Sequence, residues 1–81
     1  MTDKWLRCQV AKGMFSDEKA VTYSSKDGRK ISVFVPEKFV QPISESTGRV
    51  KVSVFTKGSQ VWAVLPNDSR DEVLVGSDDI S

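Results

Sequence analysis

An all-β fold, a single small antiparallel barrel of five or six strands, is predicted by three features of this 81-residue chain. Apolar and polar residues alternate in Leu6-Arg7-Cys8-Gln9-Val10, Ile31-Ser32-Val33-Phe34-Val35, Val50-Lys51-Val52-Ser53-Val54 and Val61-Trp62-Ala63-Val64-Leu65. That period of two marks strands with one buried and one wet face, and no stretch keeps a helical period. Turn signals separate the runs at short intervals, leaving too few residues for two stacked sheets and pointing to one sheet curled on itself. Closure also removes the edges that would let a flat, valine-rich sheet pair with other chains.

Strands are placed near residues 5–11, 19–25, 30–36, 49–56, 60–65 and 72–75. Lys26-Asp27-Gly28-Arg29 marks the first hairpin, because Gly28 takes the positive φ that tight turns demand. A two-residue Asp-Gly loop would set Val21 across from Phe34 and Tyr23 across from Ser32. A three-residue loop with Gly28 left-handed sets Tyr23 across from Ile31 and Val21 across from Val33. The second register gathers the apolar residues of both strands on one face and is the one predicted. The second hairpin is placed at Lys57-Gly58, pairing Val54 with Val61, Val52 with Ala63 and Val50 with Leu65 on the inner side. Its outer side then pairs Phe55 with Gln60, Ser53 with Trp62 and Lys51 with Val64.

Residues 36–48 show no alternation. Pro36 ends the third strand, since proline cannot donate to a ladder. Pro36-Glu37-Lys38-Phe39-Val40 is expected to form one short helical turn, with Pro36 at its first position and Phe39 and Val40 turned inward. Pro42 and then Ser44 to Gly48 read as a flexible polar loop. The inward set is Leu6, Cys8, Val10, Val21, Tyr23, Ile31, Val33, Val35, Val50, Val52, Val54, Val61, Ala63 and Leu65, joined by Phe39 and Val40. The run Val35-Pro36-Glu37-Lys38-Phe39-Val40 resembles the hydrophobic-Pro-x-x-aromatic-Val turn that closes many SH3 domains. The resemblance covers these residues alone and implies an SH3-like barrel with its helical turn near 36–40. It does not imply binding of proline-rich peptides, because the acidic Ala-Leu-Tyr-Asp-Tyr strand and paired tryptophans of peptide-binding SH3 domains are absent from the sequence.

A chain of this length builds one domain, residues 1–81, around one core. Its 28% charged and 38% hydrophobic residues suit a soluble folded chain rather than a disordered one. The single cysteine, Cys8, rules out an intrachain disulfide framework and fits a reducing compartment. No apolar run is long enough to span a bilayer, and Met1 to Arg7 lack the apolar core of a signal peptide, so a cytoplasmic protein without membrane attachment is expected. The formal charge of +1 hides an asymmetry: residues 1–65 carry eleven Lys or Arg against six Asp or Glu, and residues 66–81 carry one against five. The acids of the last stretch are few and dispersed, which reads as a solvated segment rather than a shield over a basic surface.

Catalytic equipment is sparse. There is no histidine, which removes the common Ser-His-Asp and Cys-His systems, and one cysteine without histidine removes the common zinc sites. No glycine-rich loop matches a phosphate or dinucleotide cradle. The acid pairs Asp17-Glu18, Asp71-Glu72 and Asp78-Asp79 lie beside turn signals, where neighbouring side chains point apart, and are not read as acid-base or metal-binding pairs. The chain is therefore expected not to be an enzyme and to need neither cofactor nor metal.

Two surfaces are candidates for binding. With the inward set removed, the outer strand residues include Trp5, Arg7, Lys30, Phe34, Arg49, Lys51, Phe55 and Trp62. Rings interleaved with cations are what single-stranded RNA or DNA needs, rings to stack bases and cations for phosphates. The competing arrangement covers Trp5 and Phe34 with residues 37–48, and Trp62 with the last stretch and Ile80. The near-neutral overall charge favours this covered arrangement. The second surface is Lys12-Gly13-Met14-Phe15-Ser16-Asp17-Glu18, where Met14 and Phe15 follow a glycine in a connection that should be polar. They form either a protein-docking knob or a plug folded into the open end of the barrel, and the volume needed by so small a core favours the plug. The function expected is a non-enzymatic binding module docking on another protein through Met14 and Phe15 or the outer aromatics. The alternative is a weak single-stranded RNA or DNA binder using the outer aromatic and basic face.

Overall fold

The alternating runs form strands, and the residues between them decide how those strands pair. The computed structural model describes residues 2–81. Seven strands follow one another: β1 (Thr2–Lys12), β2 (Glu18–Ser24), β3 (Lys30–Pro36), β4 (Val40–Pro42), β5 (Thr47–Lys57), β6 (Gln60–Val64) and β7 (Glu72–Leu74). Short 3₁₀ turns stand at Glu37–Phe39 and Ser77–Asp79. Six strands run in the order β3-β2-β1-β5-β6-β7 as a nearly closed antiparallel barrel, and β4 lies off this path against β5.

The first hairpin takes the predicted register, with Tyr23 opposite Ile31 and Val21 opposite Val33. Gly28 has a φ of +95°, and the Ser25 N–H donates to the Arg29 carbonyl at 2.7 Å to close the loop. The second hairpin corrects the sequence reading by two residues. Its turn is Gly58-Ser59 rather than Lys57-Gly58, so Lys57 faces Gln60, Val54 faces Ala63 and Phe55 faces Trp62. The reason is the turn itself: Gly58, at φ +63°, supplies the positive φ that the first residue of a type II′ loop requires, a place where Lys57 would be strained. A slip of two keeps every side chain on its predicted face and changes only its neighbours.

Residues 40–48 are a hairpin rather than a loop. Val40, Gln41 and Pro42 pair with Val50, Arg49 and Gly48, and the Ile43 and Ser44 N–H groups each donate to the Thr47 carbonyl at 2.9 Å. Three residues are too few to show a period, which hides β4 from sequence patterning. Pro36 precedes the 3₁₀ turn instead of opening it, because it still ends β3 in extended backbone opposite Glu18.

The core contains Leu6, Cys8, Val21, Tyr23, Val35, Val50, Val52, Ala63 and Leu65, all from the predicted inward set. Val10, Ile31, Val33, Val40, Val54 and Val61 pack half-buried against it, and Phe39 is half-buried. Val73, Val75 and Ile80 were not in that set and join the cluster from the last third of the chain. Closure rests on Ser25, a buried polar side chain at 5% exposure. The Leu74 N–H donates to its Oγ at 2.9 Å, and the same hydroxyl reaches the Leu74 carbonyl at 3.4 Å. The Lys26 N–H donates to that carbonyl at 2.9 Å, and Arg29 Nη2 to the Glu72 carbonyl at 3.1 Å. The β2–β3 turn thus fastens β7, where a full ladder between β3 and β7 is missing.

The acidic last stretch is docked as well as solvated. Trp5 and Ser81 exchange N–H to carbonyl bonds of 3.0 Å in both directions, Ile80 bridges to Leu6, and the Tyr23 hydroxyl donates to Asp79 Oδ2 at 2.7 Å. Burial, then this carboxylate, pushes the Tyr23 phenol up from 10.0 to about 12.

Ser25→Ala leaves the Leu74 N–H without its acceptor in a shielded place and is expected to cost roughly 1–3 kcal/mol in urea denaturation; an unchanged midpoint would show that the closure does not depend on the hydroxyl. Because the folded state holds the Tyr23 proton more tightly than the unfolded chain, the associated stability is complete below pH 10 and is lost as the pH rises towards about 12. Denaturation across that window should show Tyr23→Phe losing less stability than the parent, and parallel curves would contradict the link.

Candidate docking loop and outer basic-aromatic face

The β1–β2 connection, residues 13–17, is held by the carboxylate that follows it. Glu18 Oε1 accepts from the Met14 N–H at 3.0 Å and from the Phe15 N–H at 3.3 Å, while the Glu18 N–H donates to the Phe15 carbonyl at 3.2 Å. Gly13 makes the fold-back feasible: a Cβ there would stand 2.6 Å from both Glu18 Cγ and its carbonyl oxygen. With both amides turned to Glu18, the side chains turn away from the barrel. Met14 is 76% exposed and Phe15 68%. The plug arrangement favoured by core volume is therefore incorrect, because the bracing carboxylate decides the direction of the loop tip.

Beside the loop opens a groove of about 1130 Å³, lined among others by Val10, Phe15, Pro36, Val40 and Pro42. Lys19 and Glu37 also line it and form an exposed ion pair of 4.0 Å. Val10 and Val40 are half-buried here, which leaves apolar surface at this end of the barrel that a plug would have covered.

The outer face divides the eight predicted aromatic and basic residues into three groups. Trp5 lies opposite Lys51, and Arg7 opposite Arg49, in successive outward rows of the β1–β5 ladder. The Arg49 guanidinium stands over the Trp5 ring at 5.7 Å from its centroid and donates from Nη2 to Gln41 Oε1 at 2.7 Å. Phe55 and Trp62 face each other across β5 and β6, and Leu74 of β7 continues the row. Phe34 and Lys30 stand apart on β3, with β2 between them and β1. Phe34 is 48% exposed because its outward row continues only through Ala20 and Ala11.

The expected coverings are also revised. Residues 37–48 do not bury Phe34, and Trp62 leans on Phe55 and Leu74 rather than on Ile80, which packs against the core beside Leu6. Trp5, Phe55 and Trp62 are half-buried by their strand neighbours, Arg49 is half-buried, and Arg7, Lys30 and Lys51 are exposed. The Arg49 Nε and Trp62 Nε1 are shielded from solvent and have no hydrogen-bond partner among the described residues. Gln41 escaped the sequence reading with β4. Glu18 could have been found from Gly13, five positions before it, where a backbone must fold close.

The acid pairs have separate duties. Glu18 braces its loop, Asp71 Oδ2 accepts from the Asn67 amide at 2.8 Å, and Asp79 accepts from Tyr23. Burial pushes the Cys8 thiol up to about 11, so at neutral pH it is a protonated, apolar core group. The chain matches no protein-family model, no curated protein and no solved structure.

Proposed function

We propose that this chain is a non-enzymatic binding module that docks on another protein through the tip of its β1–β2 loop. The observation that carries the reading is that Met14 and Phe15 project into solvent from a backbone already braced by Glu18. Large apolar and aromatic side chains dominate the energetics of small interfaces, and methionine adapts to irregular clefts. A braced loop has already lost the conformational freedom that a floppy one would surrender on binding. The partner suited to it carries an apolar cleft for the two side chains, and the adjoining groove receives a projection in return. Arg7, Arg49 and their neighbours are not needed for this contact.

The barrel is further read as SH3-like. Three hairpin-linked strands, the 3₁₀ turn at Glu37–Phe39 and the following short strand support that reading. It carries no peptide-binding role with it.

Replacing both Met14 and Phe15 by serine should change the unfolding free energy, read by urea denaturation, by no more than about 0.5 kcal/mol, the range of neutral surface changes. A large loss would mean that the residues serve the core and not a partner. In living cells, a benzoyl-phenylalanine at position 15 should give one discrete crosslinked species that disappears with Glu18→Ala, while the same label at exposed Ser59 should not give it. Identical products from both positions, or none from position 15, would overturn the docking role.

A further inference from the structure

The arginines of the β1–β5 ladder face each other without an acid between them. Arg7 and Arg49 are direct cross-strand partners on the outer side, and Lys51 follows Arg49 in the next outward row. Among the described residues the ion pairs are Lys19–Glu37 and Arg29–Asp27, and none of these three cations takes part. Like charges set directly opposite one another destabilise a sheet, so the arrangement is unfavourable in the free protein. The carboxylate in the following row is Asp3, which accepts from the Ser53 hydroxyl at 3.4 Å. The guanidinium of Arg49 is only partly satisfied, through Gln41, and its Nε lacks an acceptor.

The fourth member of the square is an aromatic ring. Trp5 stands across from Lys51 and one outward step from Arg7, about 7 Å along the strand. Its ring already carries the Arg49 guanidinium, a planar cation on a π face. Three cations and a ring on adjacent outward positions match a short stretch of single strand: phosphates against the cations and a base against the stacked ring and guanidinium. Four residues further along β5, roughly 13 Å from Lys51, the Phe55–Trp62 pair offers a second stacking station.

From this juxtaposition we infer that the β1–β5–β6 face binds single-stranded nucleic acid, with Arg7, Arg49 and Lys51 on phosphates and Trp5 on a base. The site is independent of the Met14–Phe15 loop. It is also smaller than the set of aromatic and basic residues read from the sequence, because Lys30 and Phe34 lie outside it. A single strand fits better than a duplex, since the rings are reached only by bases free of their partners.

The test uses fluorescence. The chain contains two tryptophans, so Trp62→Phe leaves Trp5 as sole reporter. The parent is titrated alongside, so that poor folding of the variant does not decide the result. A short, mixed-sequence, single-stranded oligonucleotide should quench the emission saturably. The logarithm of the affinity should fall with the logarithm of salt at a slope of about −2, as expected for three neutralised phosphates on a single strand. Arg7→Gln with Arg49→Gln should weaken binding at least tenfold while the melting temperature holds or rises, because the repelling pair is gone. Trp5→Leu should weaken it by about fivefold or more. No quenching of the parent at the lowest salt, or undiminished binding by the double arginine variant, would overturn the inference. Inorganic polyphosphate binding as tightly as the oligonucleotide would reduce the site to a polyanion patch and overturn the role of the base. Loss of the loop's crosslinked product leaves all these readings unchanged, so the two proposals fail separately.

Discussion

Strands β1 and β5, separated in sequence by all of β2, β3 and β4, lie side by side from Thr2 opposite Val54 to Gln9 opposite Thr47. This pairing unites the first hairpin unit with the second. Without it, each would be a short ribbon with one apolar face in water, and short ribbons of that kind are marginal. It places Leu6 against Val50, two residues with no solvent exposure, and it brings Cys8 to the buried Gly48. Local hairpins can form early at small entropic cost, whereas this long-range ladder must close a much larger loop before it gives any stabilisation. The core beneath repays that ordering, since nearly every inward valine touches it.

The same ladder explains why the two candidate surfaces differ in character. Along its outer side, the register puts cation opposite cation and ring opposite cation, a conflict that sequence-local preferences do not resolve. Beyond its end, β1 leaves β5 and turns into a loop whose direction is decided by one carboxylate. Glu18 receives two amides and is itself the first residue of β2, so the strand that builds the barrel also aims the loop. Met14 and Phe15 consequently face outward although an apolar interior lies close by. Elsewhere polar groups serve closure: Ser25 holds β7, and Tyr23 holds the turn containing Asp79. Each spans a place where the ladder is interrupted and a backbone group would otherwise lack a partner.

Much of this was legible in the residues. Alternation located the long strands and separated inward from outward side chains, because a period of two is a property of the extended backbone alone. Gly28 set one hairpin register through its positive φ. The other hairpin was misplaced by a residue in its turn, since Lys57-Gly58 and Gly58-Ser59 both contain the glycine and both keep the faces. The neighbours changed with it, and Phe55 meets Trp62 instead of Gln60. β4 was illegible because three residues carry no period; it becomes a strand only when β5 is there to receive it. For the candidate surfaces, the residue types were readable and their grouping was not. Phe34 and Trp5 look equivalent in a sequence, yet one sits among alanines on β3 and the other under a guanidinium on β1.

The sequence by itself determined the all-β class, the approximate strands, the inward valine rows and the outward presence of rings and cations, all of which follow from local backbone geometry and solvation. Tertiary structure alone decided which outward residues became neighbours, the docking of Ile80 and Val73 into the core, and the outward throw of Met14 and Phe15. Those outcomes depend on contacts between residues far apart in the chain, or on one carboxylate meeting particular amides, and the alternation of apolar and polar residues does not encode them.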